Sequence, residues 1–210
     1  MHRWVMEESF FSQAFPLSGH DRNYSDTWLD EYEYETLQDI AQKHRAFFYP
    51  AGVMMNGRAY SVKVIPQREP FTPLRDILET RPVDPHYFLR KEDMARWSYA
   101  KGPKRETRRH KDGSTYVFTE GAVAVPDSIE RPSRTMLTSE SQVGRTSHVI
   151  RDFSTGQLRV LTPVECERLN GFPDRWTDTG MPERMRYFVM GNALVVPLIT
   201  RLGAKLAQDF

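Results

Sequence analysis

Apolar residues near the end of the chain recur every three or four positions. The set comprises Val195, Leu198, Ile199, Leu202 and Leu206. This period places them on one face of a helix, so we expect the chain to end in an amphipathic helix. A preceding helix is expected to run from about Pro182 to Gly191, and Asn192 is in a position to cap the next helix.

The pattern in the middle of the chain predicts hairpins and short helices. Asn56 and Gly57 precede a stretch in which apolar and polar residues alternate, which is a strong signal for a β-hairpin. A helix is expected over residues 91–100, with Met94 and Trp97 facing inward. Hairpins and helices together indicate a mixed fold.

Composition restricts the class of protein. Of the 210 residues, 39% are hydrophobic and 12% are aromatic, which is typical of a globular domain rather than a disordered one. The single cysteine excludes an intramolecular disulfide, and no paired Cys or His spacing indicates a zinc site. No apolar stretch approaches the roughly 18 residues of a membrane span, and the N-terminus does not resemble a signal peptide. We expect a cytoplasmic protein with no metal and no membrane partner.

Charge is unevenly distributed, although the net charge is only +1. Residues 26–39 contain six acids and no Lys or Arg, whereas residues 101–111 contain six Lys or Arg and one acid. The basic run is expected to be a loop that ends at Asp112 and Gly113, a turn signal before a strand from Thr115. Taken alone, such a run is more often a solvated surface loop than a nucleic-acid site.

The segment Arg159 to Pro173, RVLTPVECERLNGFP, carries the signals that start and stop a helix. Thr162 is a suitable N-cap, Pro163 occupies the first helical position, and Glu165 completes a capping box. Gly171 then ends the helix. We expect one face of it to pack against a core and the other to remain available for polar contacts. The first face comprises Val164, Leu169 and Cys166, and the second comprises Glu165, Glu167 and Arg168.

This segment and a second one, GNALVVP from Gly191 to Pro197, resemble the last two signature blocks of the DNA cytosine-5 methyltransferases. The first matches the pattern RxLTPxExxRLxGFP at every fixed position. The resemblance implies structural roles for residues of that block, namely Arg159, Thr162, Glu165, Arg168 and Gly171. It implies that the second block packs onto the large catalytic domain, with Asn192 and Ala193 lining the S-adenosylmethionine pocket. Ala193 stands where the family commonly has serine, so a side-chain hydroxyl contact is not expected there.

The blocks that carry the family's chemistry do not occur in this sequence. By resemblance, those enzymes use a Pro-Cys nucleophile that adds to C6 of a flipped-out cytosine, a glutamate from a Glu-Asn-Val block, and a glycine-rich loop for the cofactor. Here the only cysteine is Cys166, which follows Glu165 rather than proline and lies inside the expected helix. A buried structural thiol is its expected role. We expect this chain alone to transfer no methyl group.

The same resemblance places the family's target-recognition domain over the basic run and the segment after it. Positively charged side chains there are candidates for phosphate contacts, and one or two arginines are candidates for reading guanine edges. The candidates in the basic run are Lys101, Lys104, Arg105, Arg108 and Arg109. In RPSRTMLTSES, Thr138 and Ser139 are candidates for approaching the DNA backbone near the target, and Arg134 is a candidate for a further backbone contact. A polar strand and turn without any DNA contact is the alternative for this segment.

The resemblance implies an α+β fold. It consists of a small recognition domain of short antiparallel strands, hairpins and helices, with C-terminal helices that complete an α/β methyltransferase domain. Residues 1–45 have no assignment, and residues 46–158 form the expected target-recognition region. Residues 159–210 form the expected C-terminal helical region that contacts the catalytic domain.

Three functions remain open. The favoured one is the DNA-recognition part of a DNA cytosine-5 methyltransferase of a bacterial restriction-modification system, either a separate subunit or the C-terminal portion of a longer enzyme. Its partners are duplex DNA and the catalytic domain or subunit that supplies the nucleophile and the main cofactor site. The second is a non-enzymatic, sequence-specific DNA-binding module. The third is an inactive remnant or interaction protein, which binds DNA without sequence preference or not at all.

Overall fold

The computed structural model describes residues 1–28, Thr36 and residues 48–208, so most of the acidic run at 26–39 lies outside the described residues. The chain divides into two compact units, Met1–Pro70 with Thr200–Phe210, and Phe71–Ile199. Helices and short antiparallel strands occur in both units, which confirms the predicted mixed fold. The expected functional boundaries at residues 45 and 158 remain predictions.

The first unit is built on a three-stranded antiparallel sheet with the order β1-β3-β2. Its elements are a π-helical segment Trp4–Glu8, α1 Phe10–Ala14, β1 Leu17–Trp28, β2 Ala51–Met55 and β3 Arg58–Pro66. Asn56 and Gly57 connect β2 to β3 with φ of 50° and 78°, so the predicted hairpin is confirmed. Val5 packs with Tyr60 and Val62 in a small core.

The second unit contains the basic run and both signature segments. It begins with three 3₁₀ turns, Leu74–Ile77, Pro85–Tyr87 and Lys91–Asp93. They are followed by α2 Met94–Lys101, β4 Lys104–Arg109, β5 Thr115–Glu120, β6 Ile150–Arg151, β7 Leu158–Arg159, α3 Pro163–Leu169 and α4 Glu183–Asn192. A further helix, α5, spans Val196–Leu206. The main core joins the first 3₁₀ turn to α3 and α4 through Leu74, Leu78, Ile150, Leu161, Cys166, Tyr187 and Met190.

The basic run forms a strand, so the prediction of a loop is wrong. Residues 104–109 are β4, which pairs with β5 in antiparallel register from Lys104 opposite Glu120 to Arg109 opposite Thr115. The predicted turn is present, with Gly113 at a φ of 88°. A polar sequence can form this strand because β4 pairs with β5 along one edge and most of its side chains are exposed rather than packed in a core.

Two residues of α2, the helix before the ribbon, are predicted to face inward, and one of them does. Trp97 of α2 is 4% exposed and packs with Val149 and Val160. Met94 is 39% exposed, so its predicted inward position is wrong. Met94 is the first residue of α2, directly after a 3₁₀ turn, and the buried residues of this helix are Trp97 and Lys101.

Near the C-terminus the expected pair of helices is present, but Asn192 does not cap the second one. Asn192 is the last residue of α4, and Ala193 has extended backbone angles that break the helix before α5 begins.

The segment Glu183–Leu206, which comprises both helices, has the length and composition of a membrane-crossing helix, contrary to the expectation from sequence. The break at Ala193 leaves helices of 10 and 11 residues, each shorter than the roughly 20 needed to span a bilayer.

Candidate functional site

The first signature segment folds as the sequence predicts at both ends of α3. The backbone N–H of Glu165 donates to Thr162 Oγ1 at 3.2 Å, and the N–H of Thr162 donates to Glu165 Oε2 at 2.8 Å. These two bonds form the predicted capping box, and Pro163 occupies the first turn. Gly171 has a φ of 78°, which lets the chain leave the helix.

Arg159 holds the start of this segment together from a buried position. Its guanidinium donates to both carboxylate oxygens of Glu165, at 2.7 and 2.8 Å, and to Asp152 at 3.0 Å. Burial alone would raise the pKa of Asp152, but hydrogen bonds from Ser154 and Arg159 lower it well below its usual range. Arg159 is therefore a structural cation that satisfies two carboxylates at once.

The polar face of α3 is buried, so the prediction that its acids remain available is wrong. Glu165 is fully buried and also accepts the backbone N–H of Glu79 at 2.8 Å. Glu167 is fully buried and accepts hydrogen bonds from Thr177 and from Arg186, the latter at 3.0 Å. Each acid has a cationic partner within the fold, which makes burial possible.

Arg168 of the same face links α3 to two other parts of the unit. It pairs with Asp174 at 2.6 and 2.7 Å and donates to the carbonyl oxygens of Ile77 and Leu78. These bonds tie the helix to the first 3₁₀ turn. The residue is engaged by the fold rather than by a ligand.

Cys166 is fully buried between the acids of α3. Burial raises the pKa of its thiol well above the usual value, and the neighbouring carboxylates add to the shift. A thiol in this state is neutral and shielded from solvent. It has neither the thiolate character nor the access that a nucleophile needs.

Gly171 and Asn170 connect the signature segments, and Gly191 lies against a third segment. A Cβ at Gly171 would lie 2.6 Å from Cδ of Pro197, and one at Gly191 would overlap the backbone of Leu137 and Thr138. Asn170 donates from its side chain to the carbonyl of Met190 and accepts the N–H of Val196, both at 2.8 Å. The residues GFP and GNALVVP are thus adjoining parts of one packed arrangement.

Asn192 and Ala193 lie where this arrangement meets solvent. Asn192 is exposed, and its side-chain nitrogen donates to the carbonyl of Phe188 at 3.1 Å. Its amide oxygen has no hydrogen-bond partner in the described part of the chain and is free to accept one. Ala193 is partly buried against the core and offers only backbone groups. The two positions supply too few polar groups to form a pocket by themselves, and their place beside the cofactor stays a prediction.

The β4–β5 ribbon divides the predicted basic residues between two faces. Because side chains alternate along a strand, Lys104 and Arg108 lie on one face and Arg105 and Arg109 on the other. On the first face, Lys104 is 3.6 Å from Glu120, and the Arg108 guanidinium lies 3.5 Å from the centre of the Phe118 ring. On the other face both arginines are exposed, and their guanidinium groups form no hydrogen bond or ion pair with any described residue.

This arginine face is completed by small polar side chains and one apolar one. Their positions are Thr107 on β4 and Thr115, Val117 and Thr119 on β5. All four are exposed. The ribbon therefore presents two free guanidinium groups and three hydroxyls without a carboxylate among them.

Two further predicted contacts are occupied within the fold. Lys101 is buried, and its amine donates to the carbonyl oxygens of Ser147 and, at 3.0 Å, of Arg145. Arg134 pairs with both oxygens of Asp127 at 2.6 and 3.0 Å. Their DNA contacts stay predictions, and the geometry gives both residues a structural task.

Thr138 and Ser139 lie together at one wall of an open groove of about 520 Å³. The groove is lined by Thr138, Ser139, Gln142, Arg184, Met185 and Phe188. Sequence reasoning missed the residues from α4. The available signal was the spacing of Arg184 and Phe188, which are one helical turn apart and so share a face.

Comparisons with known proteins agree with the signature segments. The family model for the C-5 cytosine-specific DNA methylases matches residues 11–208. The chain is 41% identical over 205 residues to the Type II methyltransferase M.Sau3AI of Staphylococcus aureus. This match covers 97% of the chain and 48% of the relative, so the chain spans about half the length of that protein.

Two solved structures show more distant similarity. The Dnmt2 methyltransferase of S. pombe is 15% identical with a TM-score of 0.47, and the match covers 72% of this chain and 51% of that one. The methyltransferase EhMeth of Entamoeba histolytica is 14% identical with a TM-score of 0.47, over 95% of this chain and 56% of that one.

Proposed function

This chain belongs to the C-5 cytosine-specific DNA methylase family, and from that premise we propose that it is the DNA-recognition part of a DNA cytosine-5 methyltransferase. The complete enzyme transfers a methyl group from S-adenosylmethionine to C5 of a cytosine in a specific duplex sequence. The catalytic cysteine and the main cofactor site come from a part of the enzyme outside this sequence. We place it in the cytoplasm, in a bacterial restriction-modification system.

The observation that carries this proposal is the arginine face of the β4–β5 ribbon. A two-stranded ribbon fits the major groove of B-DNA, where arginine forms bidentate hydrogen bonds with guanine. Arg105 and Arg109 are exposed and free of internal partners among the described residues, and threonine hydroxyls surround them. Free guanidinium groups on a regular strand are well placed to meet bases or phosphates.

Catalysis is assigned to another part of the enzyme because the thiol of this chain is unsuitable. The sequence has one cysteine, and it is fully buried with a raised pKa. A nucleophile that adds to a flipped-out base must reach that base. Cys166 has no route to one without unfolding α3.

A large complementary part of the enzyme also accounts for the C-terminal helix. The helix α5, Val196–Leu206, includes no buried residue, and Leu198, Ile199 and Leu206 are exposed. The chain spans about half of its relative. We infer that the catalytic part covers this face and receives the edge formed by Asn192 and Ala193, against which S-adenosylmethionine binds.

A methyl-transfer assay tests the proposal. Labelled S-adenosylmethionine and mixed-sequence duplex DNA are incubated with this chain, with a polypeptide that carries the missing methyltransferase blocks, and with both. Activity is expected only in the mixture. Activity of this chain alone would overturn the division of roles, because no other group in it replaces the missing nucleophile.

The alternative is a DNA-binding module without a catalytic partner, or an inactive remnant. The free arginine face favours the binding module over the remnant. A remnant that no longer binds DNA has no need for unpaired cations gathered on one face. A mixture that stays inactive, beside a full-length control that works, would favour this alternative. A sequence-specific footprint would then identify the module, and sequence-blind binding would identify the remnant.

A further inference from the structure

A groove lies between the turn at residues 138–142 and helix α4. Two hydroxyls and an amide stand on the turn side, and an arginine, a methionine and a phenylalanine stand on the helix side. The Arg184 guanidinium and the side chains of Thr138, Ser139 and Gln142 make no hydrogen bond or ion pair within the described ranges. The polar groups that line the groove are therefore available to a ligand.

The groove is rigidly supported from below. Glu140 is buried and accepts the N–H of His148 at 2.6 Å, so the turn is anchored at its centre. Ser147 donates to the carbonyl oxygens of Ser139 and Gln142 at 3.2 and 2.6 Å. Gly191 lets the backbone of Thr138 lie directly against α4. Such support fixes the distance between the two walls.

The lining selects an anionic ligand rich in hydrogen-bond acceptors. Arginine is a donor only and always charged, and each hydroxyl has a proton to donate. None of the six lining residues is acidic. Met185 and Phe188 are 43% and 47% exposed and add an apolar surface to the groove, with Phe188 one helical turn from the arginine. A free inorganic anion would leave that surface uncovered.

We propose that this groove binds one sugar-phosphate unit of the DNA backbone. Arg184 and the hydroxyls of Thr138 and Ser139 hold the phosphate oxygens, and Phe188 with Met185 contacts the deoxyribose. The proposal rests on the proposed function, since it assumes that duplex DNA is the ligand of this chain. It adds Arg184 and Phe188 to the DNA-contacting set and gives the groove a positioning role distinct from the ribbon, because phosphate contacts fix register without reading sequence.

The test is the salt dependence of duplex binding. The affinity of the 210-residue chain for a duplex is measured between about 50 and 200 mM salt, where each lost phosphate contact lowers the logarithmic slope by about 1. Arg184→Gln is expected to lower the slope by that amount and to weaken binding equally for all sequences. Arg184→Lys keeps the charge and is expected to retain the slope. Arg81→Gln removes an exposed arginine outside the groove and is the matched control.

Two results would overturn the proposal. One is an unchanged slope for Arg184→Gln, and the other is an equal fall for Arg81→Gln. Phe188→Ala is expected to weaken binding without changing the slope, and a variant that instead alters the slope contradicts the sugar contact. Thermal melting of each variant confirms that an exposed substitution has left the fold intact.

The same experiment separates this proposal from the one on which it rests. If the unaltered chain fails to bind duplex DNA, both proposals fail. If it binds with a sequence preference that depends on Arg105 and Arg109 while Arg184→Gln behaves like the unaltered chain, only the groove proposal fails.

Discussion

The arginines around α3 and those on the β4–β5 ribbon show the same side chain in opposite settings. Arg159 is 1% exposed and is held by two buried carboxylates, Glu165 and Asp152. Arg105 and Arg109 are exposed, and no described residue pairs with them. An arginine-rich segment therefore has no fixed role. What decides its role is whether the fold brings a carboxylate to it.

The substitution with the greatest effect is that of the buried Arg159, and the property affected is the stability of the fold. Arg159→Met leaves Glu165 and Asp152 buried without their cation, and breaking a buried pair in this way costs about 3–5 kcal/mol. Chemical denaturation measures the change in the free energy of unfolding. Arg105→Met, at the exposed end, is the control and is expected to leave that free energy nearly unchanged. Equal losses of unfolding free energy in the two variants would contradict the assignment of Arg159 to a structural role and of Arg105 to the surface.

The next effect concerns DNA binding, at the exposed end. Arg105→Ala combined with Arg109→Ala is expected to weaken binding to the preferred duplex by about 1–3 kcal/mol for each arginine that contacts a base. Competition among duplexes of different sequence measures it. Arg108→Ala on the opposite face of the same strand is the control, since its guanidinium is stacked on Phe118. If Arg108→Ala lost as much affinity for the preferred duplex as the double variant, the two faces of the strand would not differ in DNA binding.

Lys101 belongs to the basic run, but its side chain is buried in the fold like that of Arg159. Burial lowers the pKa of its amine to about 8, against about 10.4 in an unfolded chain. Between these values the unfolded state binds a proton that the folded state has released, so stability rises with pH by at most about 1.4 kcal/mol per pH unit. Denaturation of the unaltered chain and of Lys101→Met across this range measures the difference. Parallel curves would place Lys101 in solvent.

The smallest expected effect separates two threonines. Thr162→Ala removes the cap of α3 and is expected to cost about 1 kcal/mol of stability. Thr107→Ala changes an exposed hydroxyl on the arginine face and is expected to cost almost none. Thermal unfolding measures the stability of both variants. A larger loss of stability for Thr107→Ala would mean that this exposed threonine of the ribbon has a structural role.

The features that sequence could predict depend on neighbouring residues. Thr162 and Glu165 form their capping box across three positions, and Asn56 with Gly57 forms a turn from its own backbone preferences. The single cysteine could be assigned to a buried position because it lies inside that capped helix. In each case the determining contacts are local, so a short stretch of sequence contains them.

The features that sequence could not predict depend on residues far away in the chain. Lys101 is buried because it meets the carbonyl of Ser147, 46 positions later, and Arg168 bonds to Leu78, 90 positions earlier. The groove beside Thr138 required knowledge that α4 packs against that turn. The family resemblance supplied Thr138 and Ser139, but the residues opposite them became apparent only when the two segments were placed together.

The close approach at Gly191 has a consequence for exchanging recognition segments between related enzymes. The backbone of Leu137 and Thr138 occupies the space that any larger residue at Gly191 would fill. A chimaera joined between residues 138 and 191 therefore pairs a turn from one parent with a helix from another. The two surfaces come from different proteins and are not matched to pack at this close distance. A junction placed before Leu137 transfers turn, groove and helix as one inherited piece, so the practical border of an exchangeable module lies upstream of the signature segments.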